Sequence, residues 1–95
     1  MFEMWWEDGK AIFAFDVTTQ ESDILLTNYH REAEKGSGSS ALVDLEARLQ
    51  KISAKISKKI TLVFPASGQK DTAQWLERNG YSYRAEDDAY LKQLS

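Results

Sequence analysis

The sequence predicts an α/β domain, a mixed, mostly antiparallel sheet with two helices in the order β-β-β-α-β-α-β-β. Three observations predict it. The first thirty residues alternate apolar or aromatic runs with short polar turns. Two later segments switch to helical spacing. Further apolar runs follow each of those segments.

Phe2–Trp6 reads as the first strand. Glu7-Asp8-Gly9-Lys10 turns the chain, because the Asp-Gly step suits a hairpin. Ala11–Thr18, rich in β-branched and aromatic residues, is the second strand. Thr19–Ser22 is a polar turn, and Asp23–Tyr29 is a third strand around Ile24, Leu25 and Leu26. Together they make an antiparallel meander. His30–Lys35 is charged and has no hydrophobic period, so a connection is expected there. The small residues Gly36-Ser37-Gly38-Ser39-Ser40 follow.

A helix is expected from there to about Ser57. Leu42, Leu45, Leu49, Ile52 and Ile56 recur at spacings of three and four and form one apolar stripe. Asp44 and Glu46 lie early and Lys51, Lys55, Lys58 and Lys59 late, which suits the helix dipole. Ile60–Phe64 is the next strand, stopped by Pro65. Strand, helix and strand in series imply a parallel pair with a right-handed crossover. Lys70–Asn79 is a short helix, and Gly80 stands where a helix ends in the left-handed conformation. Tyr81–Arg84 and Ala89–Leu91 are the last strands, separated by Glu86-Asp87-Asp88.

The chain has 95 residues, 12 basic and 15 acidic, and a formal net charge of -3. This length fits one domain spanning residues 1–95. With no cysteine there is no disulfide framework and no thiol nucleophile. His30 is the only histidine, which argues against a metal site. A mildly acidic balance lacks the electrostatic footprint of nucleic-acid binding. The longest apolar runs are too short to span a bilayer. The N-terminal residues carry no basic leader pattern. A cytoplasmic protein without membrane attachment is expected.

The most informative stretch runs from Leu26 to Val43: a strand, a polar connection, Lys35-Gly36-Ser37-Gly38-Ser39, then an amphipathic helix. Glycines at such a junction let the backbone approach a ligand. The free amides of the first helical turn then favour an anionic group such as a phosphate. The same residues suit a flexible linker or a plain loop with a serine cap.

The order of elements and two motifs resemble the GNAT acetyltransferase superfamily. Lys35-Gly36-Ser37-Gly38-Ser39-Ser40-Ala41-Leu42 is similar to the family's Lys-Gly-Ile-Gly-Ser-Ala-Leu-Leu run. Trp75-Leu76-Glu77-Arg78-Asn79-Gly80-Tyr81 is similar to its Leu-Tyr-Glu-Lys-Leu-Gly-Phe run. The resemblance covers roughly residues 11–95 and implies a GNAT-like fold reduced at its N-terminus.

The resemblance implies that acetyl-CoA is the co-substrate. The backbone of Lys35, Gly36, Ser37, Gly38, Ser39 and Ser40 would hold its pyrophosphate, with the Ser39 hydroxyl as an extra donor. The strand at Asp23–Tyr29 would splay from that at Ile60–Phe64, and the pantetheine arm would lie in the gap. An amine, on a protein or peptide among the candidates, would attack the thioester. A backbone amide near Asn28 or Tyr29 would face the oxyanion.

The chain also departs from the family's pattern. Ala33 stands where an Arg or Gln is usual, and Lys35 is the nearest substitute cation. Leu76 stands where a Tyr commonly protonates the leaving thiolate, which leaves Tyr81, Tyr83 or solvent. Gln69 stands roughly where the loop Asn is found. The family's first strand and the helices after it have no counterpart, which leaves an open acceptor face that a second subunit could complete.

His30, beside the expected thioester position, is a candidate general base, because histidine titrates near neutrality. Asp16, Asp23 and Glu32 are others. Trp5 and Trp6 must point to opposite faces of their strand, so one of them is a candidate interface residue, including for a homodimer. Two alternatives to the acetyltransferase stand: a non-catalytic CoA-binding module, and an interaction protein on the same scaffold.

Overall fold

The computed structural model describes residues 2–94; Met1 and Ser95, the two ends of the expected domain, lie outside them. The elements run β1 (Phe2–Glu7), β2 (Ala11–Thr19), β3 (Asp23–Ala33), α1 (Gly38–Ile56), β4 (Lys59–Pro65), α2 (Lys70–Arg78), β5 (Ser82–Arg84) and β6 (Ala89–Leu94). The strands form one sheet in the order β1-β2-β3-β4-β6-β5. Among the described residues only β3 and β4 pair in parallel. The class is therefore α/β with a mixed, mostly antiparallel sheet and two helices.

The first turn forms for the reason the sequence suggests. Asp8 Oδ1 accepts hydrogen bonds from the N–H groups of Lys10 and Ala11, at 3.0 and 2.8 Å. Period-2 alternation then sends Ala11, Phe13 and Phe15 of β2 to one face, where they join Leu26 of β3 and Ile60, Leu62 and Phe64 of β4. Both helices enter the same apolar cluster, α1 through Ala41, Leu42, Leu45 and Leu49 and α2 through Leu76. One face of the sheet is thus covered, and the opposite face carries no helix among the described residues.

The structure differs from the expectation most at three places; elsewhere bounds move by one residue, with β4 taking in Lys59 and Pro65 and β5 starting after Tyr81. First, β3 does not stop at Tyr29 but runs on to Ala33, through residues expected to be a connection. A bulge explains this. The β2–β3 register passes from Phe15↔Asn28 to Ala14↔His30, so Tyr29 and His30 together face Ala14. The extra residue inverts the alternation, and Arg31 lies opposite the core residue Phe13. Second, the buried stripe of α1 ends in Ser53, while Ile52 and Ile56 are exposed. Ser53 Oγ donates to the Lys58 carbonyl, and Ser57 closes the helix in the left-handed conformation at φ 56°. Third, β6 continues past Leu91 to Leu94, pairing with Ile60 at the start of β4.

The tryptophan pair divides as strand geometry requires. Trp6 packs against the core, with the Arg48 guanidinium 4.9 Å from its ring centroid. Trp5 is 60% exposed on the bare face.

Candidate functional site

The candidate site begins where two parallel strands part. β3 and β4 pair from Asp23↔Lys59 to Thr27↔Val63. Beyond that point β3 stays with β2, and β4 stays with β6 as far as Pro65↔Ala89. An open groove of about 520 Å³ remains, lined by Thr27–Arg31 on one side and Pro65–Ser67 on the other. That is a volume in which a small-molecule arm fits.

Asn28 supports the shape of this groove. Its side chain is buried, and Nδ2 donates to the carbonyls of Ala14 and His30, both at 3.0 Å. Those carbonyls belong to the two residues paired across the bulge. The Asn28 amide therefore holds the bulge in place and is occupied in doing so. Tyr29 and His30 project from the bulge and are exposed. The His30 ring stands 6.3 Å from Trp5, with Nε2 3.6 Å from a Glu32 carboxylate oxygen.

At the end of β3 the chain enters the glycine turn. The Ser37 N–H donates to the Glu34 carbonyl at 2.9 Å, and Gly36 takes φ +84°, a left-handed value that disfavours any side chain. Helix α1 opens at Gly38, with Ser37 as its N-cap and no side-chain cap hydrogen bond. The first bond back to the cap runs from the Ala41 N–H to the Ser37 carbonyl. The N–H groups of Gly38, Ser39 and Ser40 thus have no carbonyl four residues back within the helix. Ser40 Oγ donates to the Ser37 carbonyl, and the Lys35 backbone is exposed beside Gly36.

Helix α2 lies against this turn. Ser39 Oγ accepts from Trp75 Nε1 at 2.9 Å and from Asn79 Nδ2 at 3.3 Å. Two of its neighbours thus use the oxygen, and the hydroxyl proton remains to be donated. A Cβ at Gly38 would meet the Trp75 ring at 3.6 Å, so only a small residue leaves this junction open.

A second cleft of about 260 Å³ lies between the end of β3, the start of α1 and α2, with Arg31, Gly38, Thr72 and Trp75 in its walls. Arg31 borders both cavities. Its guanidinium donates to Thr72 Oγ1 at 3.1 Å and stands 5.3 Å from the Trp75 ring centroid. Burial lowers its pKa from the ordinary arginine value without a carboxylate partner to hold it up. Arg31 is the functional candidate that sequence reasoning missed. Its position depends on the bulge, and within His30–Lys35 it reads as one charge among several. It brings a cation to the cleft wall that Ala33 cannot supply.

Three other candidates, Tyr81, Tyr83 and Gln69, stand apart from both cavities. Tyr81 is 3% exposed, and its hydroxyl donates to Glu46 Oε2 at 2.7 Å. Lys92 Nζ donates to the other Glu46 oxygen at 2.8 Å and to the Asn79 carbonyl at 2.9 Å. Burial, then the Glu46 hydrogen bond and charge, push the Tyr81 phenol far above its ordinary value. A group so placed is a poor proton donor to a substrate, and Tyr81 lines neither groove. Tyr83 donates to Asp88 Oδ1 at 2.7 Å. That bond, then desolvation and the Asp88 charge, raise its pKa. Gln69 caps α2 and borders a separate cavity of about 280 Å³ beyond Pro65.

The chain matches no family model, and no curated protein matches it. No helix among the described residues is long and apolar enough to cross a membrane.

Proposed function

We propose that this chain is an acetyl-CoA-dependent N-acetyltransferase with a GNAT-like fold. The observation that carries the reading is the parting of β3 and β4 after Thr27 and Val63, at a bulge that leads into the glycine turn of α1. A bound acetyl-CoA would supply an activated acetyl thioester. The residues present fit that group: free amides at Gly38–Ser40, a half-buried arginine with no carboxylate partner among the described residues, and an open Gly36 with nothing within 4 Å of a Cβ position.

In this reading the amides of Gly38, Ser39 and Ser40 hold the pyrophosphate. Arg31 neutralises part of its charge from the neighbouring cleft wall. The groove between Thr27–Arg31 and Pro65–Ser67 takes the extended arm. Asn28 fixes the bulge, so that the backbone at Tyr29 is set at the reacting end. His30 is the candidate base for the acceptor's proton, with Glu32 beside it. Solvent protonates the departing thiolate, because Tyr81 is sequestered by Glu46. Holding the two reactants in register supplies most of the acceleration in such a transfer. A cytoplasmic setting and a homodimer belong to the same proposal.

The burial of Tyr81 favours a second reading, a CoA-binding module without turnover. The exposed Trp5 favours a third, an interaction protein that has lost the cofactor. Calorimetric titration of acetyl-CoA into the wild-type chain and an Arg31→Glu variant separates them. The proposal expects saturable binding that Arg31→Glu weakens about tenfold or more. Binding without acetyl transfer to any amine selects the second reading. Absence of heat, together with absence of competition by CoA, removes the first two.

A further inference from the structure

The bare face of the sheet carries an arrangement that folding alone does not explain. Glu3 of β1 and Asp16 of β2 are direct cross-strand partners. Residues so paired project from the same face of the sheet, and like charges placed opposite one another are destabilising. No lysine or arginine among the described residues forms an ion pair with either. Beside them stand two exposed aromatics. Trp5 and Tyr29 have ring centroids 6.3 Å apart and planes at 84°, which makes a corner open to solvent. Desolvation, then the charges of Glu3 and Asp16, raise the Tyr29 phenol's pKa, and its side-chain hydrogen bonds with Trp5 and Glu3 join both aromatics and a carboxylate in one cluster.

Each part of this patch attracts the same chemistry. Indole and phenol faces attract a cation through their quadrupoles. Two carboxylates with no ion-pair partner among the described residues attract a positive charge and gain most from one that neutralises both. Glu7 on the same face of β1 extends the negative field. A metal ion would not use the aromatic rings, whereas an ammonium group on an alkyl stem uses all of the parts. The patch also adjoins the groove between the parted strands, since Tyr29 borders both.

We propose that the bare sheet face at Glu3, Trp5, Asp16 and Tyr29 docks a lysine side chain of a basic peptide, and that this lysine is the acceptor amine. The second half rests on the acetyltransferase reading; the docking itself does not. Repulsion between Glu3 and Asp16 is relieved when the ammonium arrives, so the free protein carries the cost and the complex recovers it.

The test uses the full chain, isotope-labelled for amide spectra, titrated with a glycine-flanked lysine peptide and with the same peptide acetylated at the lysine nitrogen. The proposal expects saturable shifts around Trp5 and Tyr29 with the lysine peptide, none with the acetylated one, and weakening as salt is raised. A Glu3→Gln/Asp16→Asn variant weakens binding about fivefold or more while melting at a higher temperature than the wild type. Failure of the lysine peptide to bind overturns the proposal, as does equal binding by the double variant or by the acetylated peptide. Shifts that grow with protein concentration alone assign the face to a second copy of the chain and overturn it too. Acetyl-CoA is titrated separately. Peptide binding without acetyl-CoA binding keeps the docking surface and ends the acetyltransferase reading. Acetyl-CoA binding without peptide binding does the reverse.

Discussion

The two faces of one sheet are built on opposite terms. On the covered face, Phe13, Phe15 and Phe64 are at most 1% exposed. Phe64 meets Phe15, Trp75 and Tyr81 edge-on, at centroid distances of 6.0, 6.2 and 5.2 Å. Even the charged groups there are satisfied, with Glu46 taking one bond from Tyr81 and another from Lys92. On the bare face, Trp5 and Tyr29 are exposed, and Glu3 faces Asp16 with no ion pair to either among the described residues. The covered face is where stability resides. The bare face and the parted strand ends hold polar and aromatic groups left exposed among the described residues.

The largest effect that would sharpen this contrast comes from the covered face. Phe64→Ala removes the hub of three aromatic contacts and is expected to cost about 3–5 kcal/mol in urea unfolding. Trp5→Ala, on the other face, should fall within about 0.5 kcal/mol of the wild type. A comparable loss in both would erase the distinction.

The buried polar cluster comes next. Lys92→Met leaves Glu46 with one partner fewer in a buried place and is expected to destabilise by about 1–3 kcal/mol. The Glu46→Gln/Lys92→Met pair should cost less than the sum of the single changes, as a double-mutant cycle would show.

The same cluster sets a pH dependence. The Tyr81 phenol titrates far above its ordinary value of 10.0 in the folded chain and near that value when unfolded. Above pH ~10 the unfolded chain therefore loses a proton that the folded chain keeps, so stability falls as pH rises. Below that pH the contribution is fully present. Tyr81→Phe should flatten the alkaline limb of a stability–pH curve, and an unchanged slope would show that other groups produce it.

The smallest effect has the opposite sign. Glu3→Gln is expected to stabilise by about 0.2–1 kcal/mol, because it removes a like-charge cross-strand pair. A destabilised variant would mean that the Tyr29 hydrogen bond to Glu3 outweighs the repulsion from Asp16.

Much of the fold was legible because it depends on local signals. Asp8-Gly9 announced the first turn, the 3–4 spacing from Leu42 to Leu49 announced α1, and Gly80, at φ +91°, followed α2 as expected. The end of β3 was not legible, because a bulge is a relation between two strands. His30–Ala33 has no alternation of its own, and only pairing with Ala11–Ala14 keeps it in the sheet. Ile52 and Ile56 fit the helical stripe, but the buried face of α1 runs from Leu45 and Glu46 through Leu49 to Ser53, four residues on, which leaves both isoleucines exposed. The glycine turn was visible as a candidate site. Arg31 was not, since the bulge decides which face it serves. Tyr81 was placed among the proton donors because its partner, Glu46, lies thirty-five residues away in sequence.

Under the proposed function, the parted strands and the glycine turn form one acetyl-CoA site. Amide spectra of the labelled full chain, recorded while acetyl-CoA is added, test it most directly. Saturable shifts are expected at Gly38–Ala41 and at Thr27–Arg31, with β5 and the α1 C-terminus unchanged. Shifts absent from both segments, or confined to residues outside them, would contradict it.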